Sequence, residues 1–137
     1  MVQKHINNIK KIEKRMHDDP QFHKENPLAL LSFIELFYYF MNTKYPGQKD
    51  SYIYNKAHIN AKLFSKMRNP NYHASRKTII ALGLALELNI DEFEIFLSSA
   101  NYAFSLNNTF DIAIIYCIEH RIYDIFEVNE IIYELGL

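Results

Sequence analysis

Polar residues of the kinds that cap helices recur along this chain, and each precedes a segment with apolar residues spaced three to four positions apart. These candidate caps are Asn26, Asp50, Asn60, Ser75, Asn89 and Asp124. The spacing places apolar side chains on one face of an α-helix. No segment shows the period of two that is typical of strands. Three glycines and four prolines in 137 residues also leave few sites for tight β-turns. The pattern predicts an all-α protein.

The caps and the apolar spacing divide the chain into eight predicted helices. They cover residues 2–16, 27–43, 51–57, 61–68, 76–88, 91–100, 110–120 and 125–135. Asn26 and Pro27 supply a cap and a first-turn proline to the second helix, and Asp124 and Glu127 have the spacing of a capping box before the last. The helix at 76–88 is apolar on most sides, which predicts that it is buried, and Gly83 would allow another helix to approach closely.

Charge is distributed unevenly along the sequence. Residues 1–50 hold eight basic and six acidic side chains, and residues 51–86 hold six basic side chains and no acidic one. Residues 87–137 hold one basic and ten acidic side chains, although the whole chain has a net charge of only −1. A basic segment of this kind often binds an anionic partner. The acidic part could instead meet a basic partner or shield the basic segment, and a solvated surface without a partner is the remaining interpretation.

The basic segment contains the signals of a helix-turn-helix in the stretch "IYNKAHINAKLFSKMRN". Two short helices are joined by a three-residue turn, which is the spacing of that motif. Its inward positions are apolar: Ile53 and Ala57 in the first helix, Ile59 in the turn, and Phe64 and Met67 in the second helix. Asn60 caps the second helix. The outward positions of that helix are Ala61, Lys62, Ser65 and Lys66.

The five predicted helices between residues 27 and 100 resemble the Cro/phage-repressor-like, XRE-type helix-turn-helix domain, in which "INAKLFSKMRN" stands at the place of the recognition helix. More narrowly, "YNKAHINAKLFSKMRNPNYHASRKTIIALGLALELNIDEFEIFLSSANYAFS" and "FDIAIIYCIEHRIYDIFEVNEIIYELG" are similar to the helical C-terminal tails that follow macro domains in some bacterial proteins. The sequence has no Gly-rich ADP-ribose loop, so this resemblance implies no ADP-ribose chemistry. Two positions depart from the repressor pattern: Tyr54 replaces a small residue, and His58 replaces the turn glycine.

These resemblances predict a repressor-like helix-turn-helix bundle with an extra N-terminal helix and two C-terminal helices. The predicted organisation is an N-terminal helix at 1–19, a helix-turn-helix core at 27–104 and a C-terminal helical pair at 105–137. The pair either packs on the core or forms a dimer surface. Repressor-like domains usually meet DNA as dimers, and amphipathic terminal helices suit either role.

The favoured functional hypothesis is a small DNA-binding regulator of transcription, bacterial or phage-like, that binds double-stranded DNA through its basic recognition helix. The candidate nucleic-acid-binding residues are Lys56, Asn60, Lys62, Ser65, Lys66, Arg68, Arg76 and Lys77. Lysine and arginine at these positions suit phosphate contacts, whereas base readout is weakly provided, because Ala61 can touch only a thymine methyl.

Two other kinds of function stay open. The same fold could serve as a protein-interaction module or inhibitor, an adaptor or a nucleic-acid mimic, through its acidic C-terminal half and without binding DNA. Tyr52, Tyr54 and Tyr72 lie among the basic residues, and aromatic rings mixed with cations also suit single-stranded RNA.

Enzymatic function is not expected, and no cofactor or metal is implied. The six histidines show no H-x-x-x-H or H-E-x-x-H spacing. Carboxylates do not pair around an evident cleft, and Cys117 lies in the apolar stretch "IAIIYCI", where burial disfavours a reactive thiolate. No apolar run reaches the roughly 18 residues of a membrane span, and no signal peptide opens the sequence. The sequence therefore predicts a cytoplasmic protein with no membrane partner.

Overall fold

A computed structural model describes residues 27–137 together with Gln3 and Asn7. The chain falls into two compact units, residues 1–30 and 31–137, which are described separately. In the first unit Gln3 and Asn7 are helical, and Gln3 Nε2 donates to Asn7 Oδ1 at 3.1 Å. A 3₁₀ helix covers Pro27–Leu30. The rest of the predicted N-terminal helix, at 2–16 within the 1–19 segment, lies outside the described residues.

The second unit consists of α-helices. They are α1 (Phe33–Lys44), α2 (Asp50–Lys56), α3 (Ala61–Met67), α4 (Arg76–Ala85), α5 (Ile90–Ser99), α6 (Thr109–Glu119) and α7 (Ile125–Glu134). Residues 27–137 contain no strand, so the prediction of an all-α fold is confirmed. None of the helices in this part of the chain is long and apolar enough to cross a membrane.

Side-chain caps start most of these helices. Asn60, Ser75 and Asp124 each accept a hydrogen bond from the backbone N–H three residues later, at the starts of α3, α4 and α7. Asn89 starts α5 with a capping box in which Glu92 returns a bond to the Asn89 N–H at 2.9 Å. Each such bond satisfies one of the N–H groups that the first helical turn leaves unpaired. The predicted helix starts at these four positions are confirmed, but the predicted capping box at Asp124 lacks the return bond from the Glu127 side chain.

The predicted continuous helix at 27–43 is wrong. Its 3₁₀ segment ends at Leu30, and α1 begins anew at Phe33. The cause is a capping box, in which Glu35 N donates to Ser32 Oγ at 3.3 Å and Ser32 N donates to Glu35 Oε1 at 2.9 Å. The Ser-x-x-Glu spacing was present in the sequence but competed with the signal from Asn26 and Pro27.

Asp50 does not cap α2, contrary to the prediction. The N-cap of α2 is Lys49, which makes no side-chain capping bond, and Asp50 is the first residue of the helix. The Asp50 carboxylate instead accepts from Tyr38 Oη at 3.0 Å and from Arg68 Nη2 at 2.8 Å. Its acidic side chain still lies in the first turn, where the helix dipole favours negative charge.

Helix α4 lies at the centre of the unit, because α2, α5 and α7 all pack against it. Six of its ten residues are buried. Gly83 gives α5 its close approach, since a methyl group at this position would stand less than 3.0 Å from three atoms of the Phe93 ring. Phe93 is fully buried, and it shares the core with Phe37, Phe40, Phe64 and Phe96.

The two C-terminal helices belong to the same compact unit as the helices before them. Helix α6 packs on α5, and α7 packs on α6 and α4. Buried Ile114 and Cys117 from α6 and Val128 from α7 extend the core. The acidic part of the chain thus covers one side of α4, while the proposed division between residues 104 and 105 stays a prediction.

Candidate nucleic-acid interface

The turn between α2 and α3 is tightly fixed. His58 adopts a left-handed conformation with φ at 58°, which is uncommon for a residue with a side chain. The Ile59 N–H bonds to the Tyr54 carbonyl at 2.9 Å, and the His58 N–H bonds to the Asn55 carbonyl at 3.0 Å. The Ile59 side chain is buried under the turn. Histidine therefore occupies the conformation for which glycine is the default residue.

The inward side of α3 is held by aromatic packing. Phe64 is fully buried, and its ring centroid lies 5.0 Å from that of Phe37 and 4.9 Å from that of Tyr54. Met67 is buried one turn later. The large side chain of Tyr54, which departs from the repressor pattern, is accommodated because it lies against Phe64. These contacts fix the rotation of α3 about its axis, and thus the side chains that it presents to solvent.

Four residues form the exposed side of α3, here called the α3 outer face: Ala61, Lys62, Ser65 and Lys66. Their spacing of one and four residues places them side by side on adjacent turns. No carboxylate among residues 27–137 forms an ion pair with Lys62 or Lys66. Asn60 lies at the start of this face, where its Oδ1 accepts from Leu63 N at 2.7 Å.

Arg68, also a candidate nucleic-acid contact, has its charge balanced within the fold. Its Nη2 lies 2.8 Å from Asp50 Oδ2, and its guanidinium carbon lies 5.3 Å from the centroid of the Phe64 ring. The same Asp50 oxygen accepts the Tyr38 hydroxyl at 3.0 Å. Burial of the Tyr38 hydroxyl, together with its bond to Asp50, raises the pKa of this tyrosine. Arg68 thus joins the end of α3 to the start of α2.

Arg76 forms an ion pair with a more deeply buried carboxylate than Arg68 does. Its Nη2 donates to Asp111 Oδ2 at 2.5 Å and to the Ala103 carbonyl at 2.9 Å. Asp111 is only 2% exposed, and it also accepts from the Ser105 N–H at 2.7 Å. The ion pair links the start of α4 to α6 and to the connector before it. An acidic residue in an apolar helical stretch was the signal in the sequence that could have pointed to a buried cation.

The remaining two candidate cations have separate surroundings. Lys56 Nζ lies 5.4 Å from the ring centroids of both Tyr45 and Tyr52, which is the geometry of cation–π contacts. Lys77 is exposed beside a groove between α4, α6 and α7. The structure thus brings Asn60, Lys62, Ser65 and Lys66 together on α3, whereas Lys56, Arg68, Arg76 and Lys77 each have different neighbours.

The tyrosines among the basic residues also differ in their contacts. Tyr54 is half-buried on Phe64, and Tyr52 has its ring centroid 5.7 Å from that of Tyr45. Tyr72 is 38% exposed and lines a pocket of about 150 Å³ formed by the start of α1, the loop before α4 and the end of α5. The use of these rings as a stacking surface for RNA stays a prediction.

Comparison with protein families, curated proteins and solved structures gives no significant match to this chain.

Proposed function

We propose that this protein is a DNA-binding regulator that contacts duplex DNA through the α3 outer face. The observation that carries the proposal is the pair Lys62 and Lys66. Both are exposed one turn apart, and neither has a carboxylate partner among residues 27–137. The fixed turn at His58 and the buried Phe64 give these lysines a defined orientation. In this proposal α2 and α3 act as a helix-turn-helix, as in bacterial or phage regulators of transcription.

The proposed contacts favour phosphate over base recognition. Each lysine supplies a point charge that releases counterions from the DNA backbone. Ser65 can hydrogen-bond to several base edges, and Ala61 can contact a thymine methyl, so this face discriminates weakly between sequences. Lys56 and Lys77 add further phosphate contacts in the proposal. Arg68 and Arg76 contribute less, because Asp50 and Asp111 already neutralise their charges.

Fluorescence anisotropy of a labelled duplex, titrated with the full chain at several salt concentrations, tests the proposal. The logarithm of the affinity is expected to fall linearly with the logarithm of salt concentration, by roughly 0.9 per phosphate contacted. Lys62→Gln is expected to reduce that slope by about one unit, since it removes one phosphate contact. Lys62→Glu combined with Lys66→Glu is expected to abolish binding at moderate salt.

Arg121→Glu is the matched control for Lys66→Glu. Both substitutions change the charge by the same amount at an exposed position, but Arg121 follows α6. Arg121→Glu should leave most of the affinity intact, so that the loss depends on position and not on net charge alone. Equal affinities for the wild-type chain and the Lys62→Glu, Lys66→Glu variant would refute DNA binding by α3.

The second candidate function is a protein-interaction module without DNA binding, and the exposed side of α7 favours it. Phe126 is 71% and Tyr133 is 81% exposed, although both are large aromatic residues. Glu127, Glu130 and Glu134 are exposed on the same helix. Exposed aromatic side chains beside carboxylates would suit a partner with a basic rim around an apolar surface. Nucleic acid that copurifies on heparin favours the first candidate, whereas clean protein that retains one basic protein favours the second.

A homodimer is a further part of the proposal. Helix-turn-helix proteins usually bind two half-sites through a two-fold dimer. Size-exclusion chromatography with light scattering, with and without duplex DNA, determines the number of copies.

A further inference from the structure

A groove runs between α4, α6 and α7, and none of its lining residues belongs to α3. Its volume is about 330 Å³, within the usual range of small-molecule sites. Its lining includes Lys77, Ile80, Leu84, Ile114, Ile125 and Ile132. The groove is therefore built by α4 together with α6 and α7, the two helices that end the chain.

The lining is apolar except at two positions. Ile80, Leu84, Ile114 and Val128 are buried, and half-exposed residues such as Ile125 and Ile132 join them. Asn129 adds a neutral amide, and Lys77 is the one charged side chain of the lining. Sites of this composition bury an apolar ligand and use few polar groups to orient it.

Lys77 determines the sign of the charge that fits this groove. Its side chain is exposed, and no carboxylate in the described part of the chain pairs with it. Arg76, its neighbour, is occupied by Asp111, so the lysine is the cation available to a ligand. A carboxylate bound beside Lys77 would gain a charge-assisted hydrogen bond, whereas a cationic head group would be repelled.

We propose that this groove binds an anionic amphiphile: a monocarboxylate whose alkyl chain lies on the isoleucines and whose head group pairs with Lys77. The apolar walls contribute most of the affinity, and the lysine contributes the preference for an anion. Each additional buried methylene should then strengthen binding roughly fourfold until the groove is filled. The proposal does not depend on DNA binding, because the apolar residues that hold the ligand lie outside the α3 outer face and only Lys77 is shared with the proposed DNA contacts.

Octanoate is a suitable probe, with hexanoate and 1-octanol as comparisons, all at concentrations below micelle formation. Isothermal titration calorimetry of the full chain is expected to show saturable binding of one octanoate per chain. Hexanoate is expected to bind at least roughly tenfold more weakly because it lacks two methylenes. Octanol should bind roughly two- to fivefold more weakly than octanoate, the usual size of a partly exposed charge interaction.

Two lysine variants locate the carboxylate. Lys77→Gln retains most of the side chain's length, and it is expected to abolish the preference for octanoate over octanol. Lys62→Gln, the matched control on α3, is expected to leave that preference unchanged. Methyl signals of Ile80, Ile114 and Ile132 should shift during the titration in NMR spectra, which confirms the site independently of affinity.

Three results would overturn the proposal. They are the absence of saturable octanoate binding, an unchanged octanoate preference in Lys77→Gln, and shifts confined to methyl groups outside the groove. Ala81→Leu provides a further variant. A larger side chain on the lining should weaken the binding of octanoate and octanol equally, because it occupies the space of the ligand's alkyl chain. Undiminished binding of both ligands to folded Ala81→Leu would likewise overturn it.

Discussion

At the scale of single residues, two ion pairs with similar chemistry differ in their burial. The Arg76–Asp111 pair has side-chain exposures of 29% and 2%, whereas the Arg68–Asp50 pair has 51% and 22%. Asp111 Oδ1 is buried and accepts no hydrogen bond within the described part of the chain. Asp111 thus depends heavily on Arg76, while solvent can replace Arg68 as a partner of Asp50.

We expect Arg76→Met to lower the free energy of unfolding by about 3 kcal/mol, because it leaves a buried carboxylate without its cation. Arg68→Met should cost much less, because exposed ion pairs contribute little to stability. Urea unfolding of both variants measures the difference. Addition of Asp111→Leu to Arg76→Met should recover much of the loss, since it removes the stranded charge. Equal costs for the two arginine variants would contradict this account.

The sequence could not show which residues pair in either ion pair, although Asp111 in its apolar stretch signals a buried cation. Arg76 and Asp111 are 35 residues apart, and Arg68 and Asp50 are 18 apart, so only the tertiary fold brings them together. The local pattern placed Arg68 and Arg76 in a basic segment without acids. The acids that neutralise them come from α6 and from the first turn of α2.

At the scale of the helices, local signals were sufficient for most boundaries. Asn60 and Ser75 act within three residues, so the sequence contains all that their caps require. Ser32 and Asp50 show the limit of this reasoning. Ser32 starts a second helix within the segment that was predicted to be continuous from Pro27, and the Asp50 side chain pairs with Tyr38 and Arg68 instead of capping α2.

The contact of α4 with α5 gives a prediction for Gly83. Alanine normally favours a helix by about 1 kcal/mol over glycine. At Gly83, however, the added methyl group would overlap the ring of Phe93, which is fully buried and cannot move freely. Gly83→Ala should therefore lower the free energy of unfolding by about 1–3 kcal/mol, the usual cost of overpacking. Thermal or urea unfolding measures it.

Phe93→Leu provides the control for this steric explanation. The single variant loses packing, but its smaller side chain should make room for a methyl group at position 83. Gly83→Ala should then cost little when introduced into the Phe93→Leu background. A cost as large as in the wild-type background would point to a cause other than the Phe93 ring.

At the scale of the whole molecule, the segregation of charge along the sequence is only partly retained in the structure. Lys62 and Lys66 remain together on α3, whereas Arg76 is tied to α6 and Lys77 borders the groove beside α7. Periodicity predicted which residues of α3 face outward. The surroundings of Arg76 and Lys77 depend on how α6 and α7 pack on the remainder of the unit, and no local pattern specifies that packing.

Tyrosine hydroxyl groups join distant parts of this unit. Tyr38 donates to Asp50, Tyr45 donates to Glu87 at 3.0 Å, and Tyr123 donates to the Leu88 carbonyl at 3.2 Å. Burial raises the pKa of all three hydroxyls, and the nearby carboxylates raise it further. Each hydroxyl is therefore held in its neutral form in the folded protein.

These hydroxyl groups predict a loss of stability at alkaline pH. Their contribution is fully present below pH 10, the ordinary pKa of tyrosine, and it is lost as the pH rises toward the higher pKa values of the folded state. In that range the unfolded chain releases protons that the folded chain retains. Urea unfolding between pH 8 and about pH 11.5 should show a falling free energy of unfolding above about pH 10.

Tyr45→Phe should make this fall shallower, because Tyr45 has the largest upward displacement in pKa of the three. Tyr133→Phe is the matched control, since Tyr133 is 81% exposed on α7, and it should follow the wild-type profile. Absorbance of tyrosinate near 295 nm provides an independent check. Up to about pH 11.5 the folded wild-type and Tyr45→Phe proteins should show the same increase, because Tyr45 stays protonated while the protein is folded. If Tyr45→Phe and wild type lose stability in parallel above pH 10, other titrating groups such as the lysines govern the alkaline transition instead.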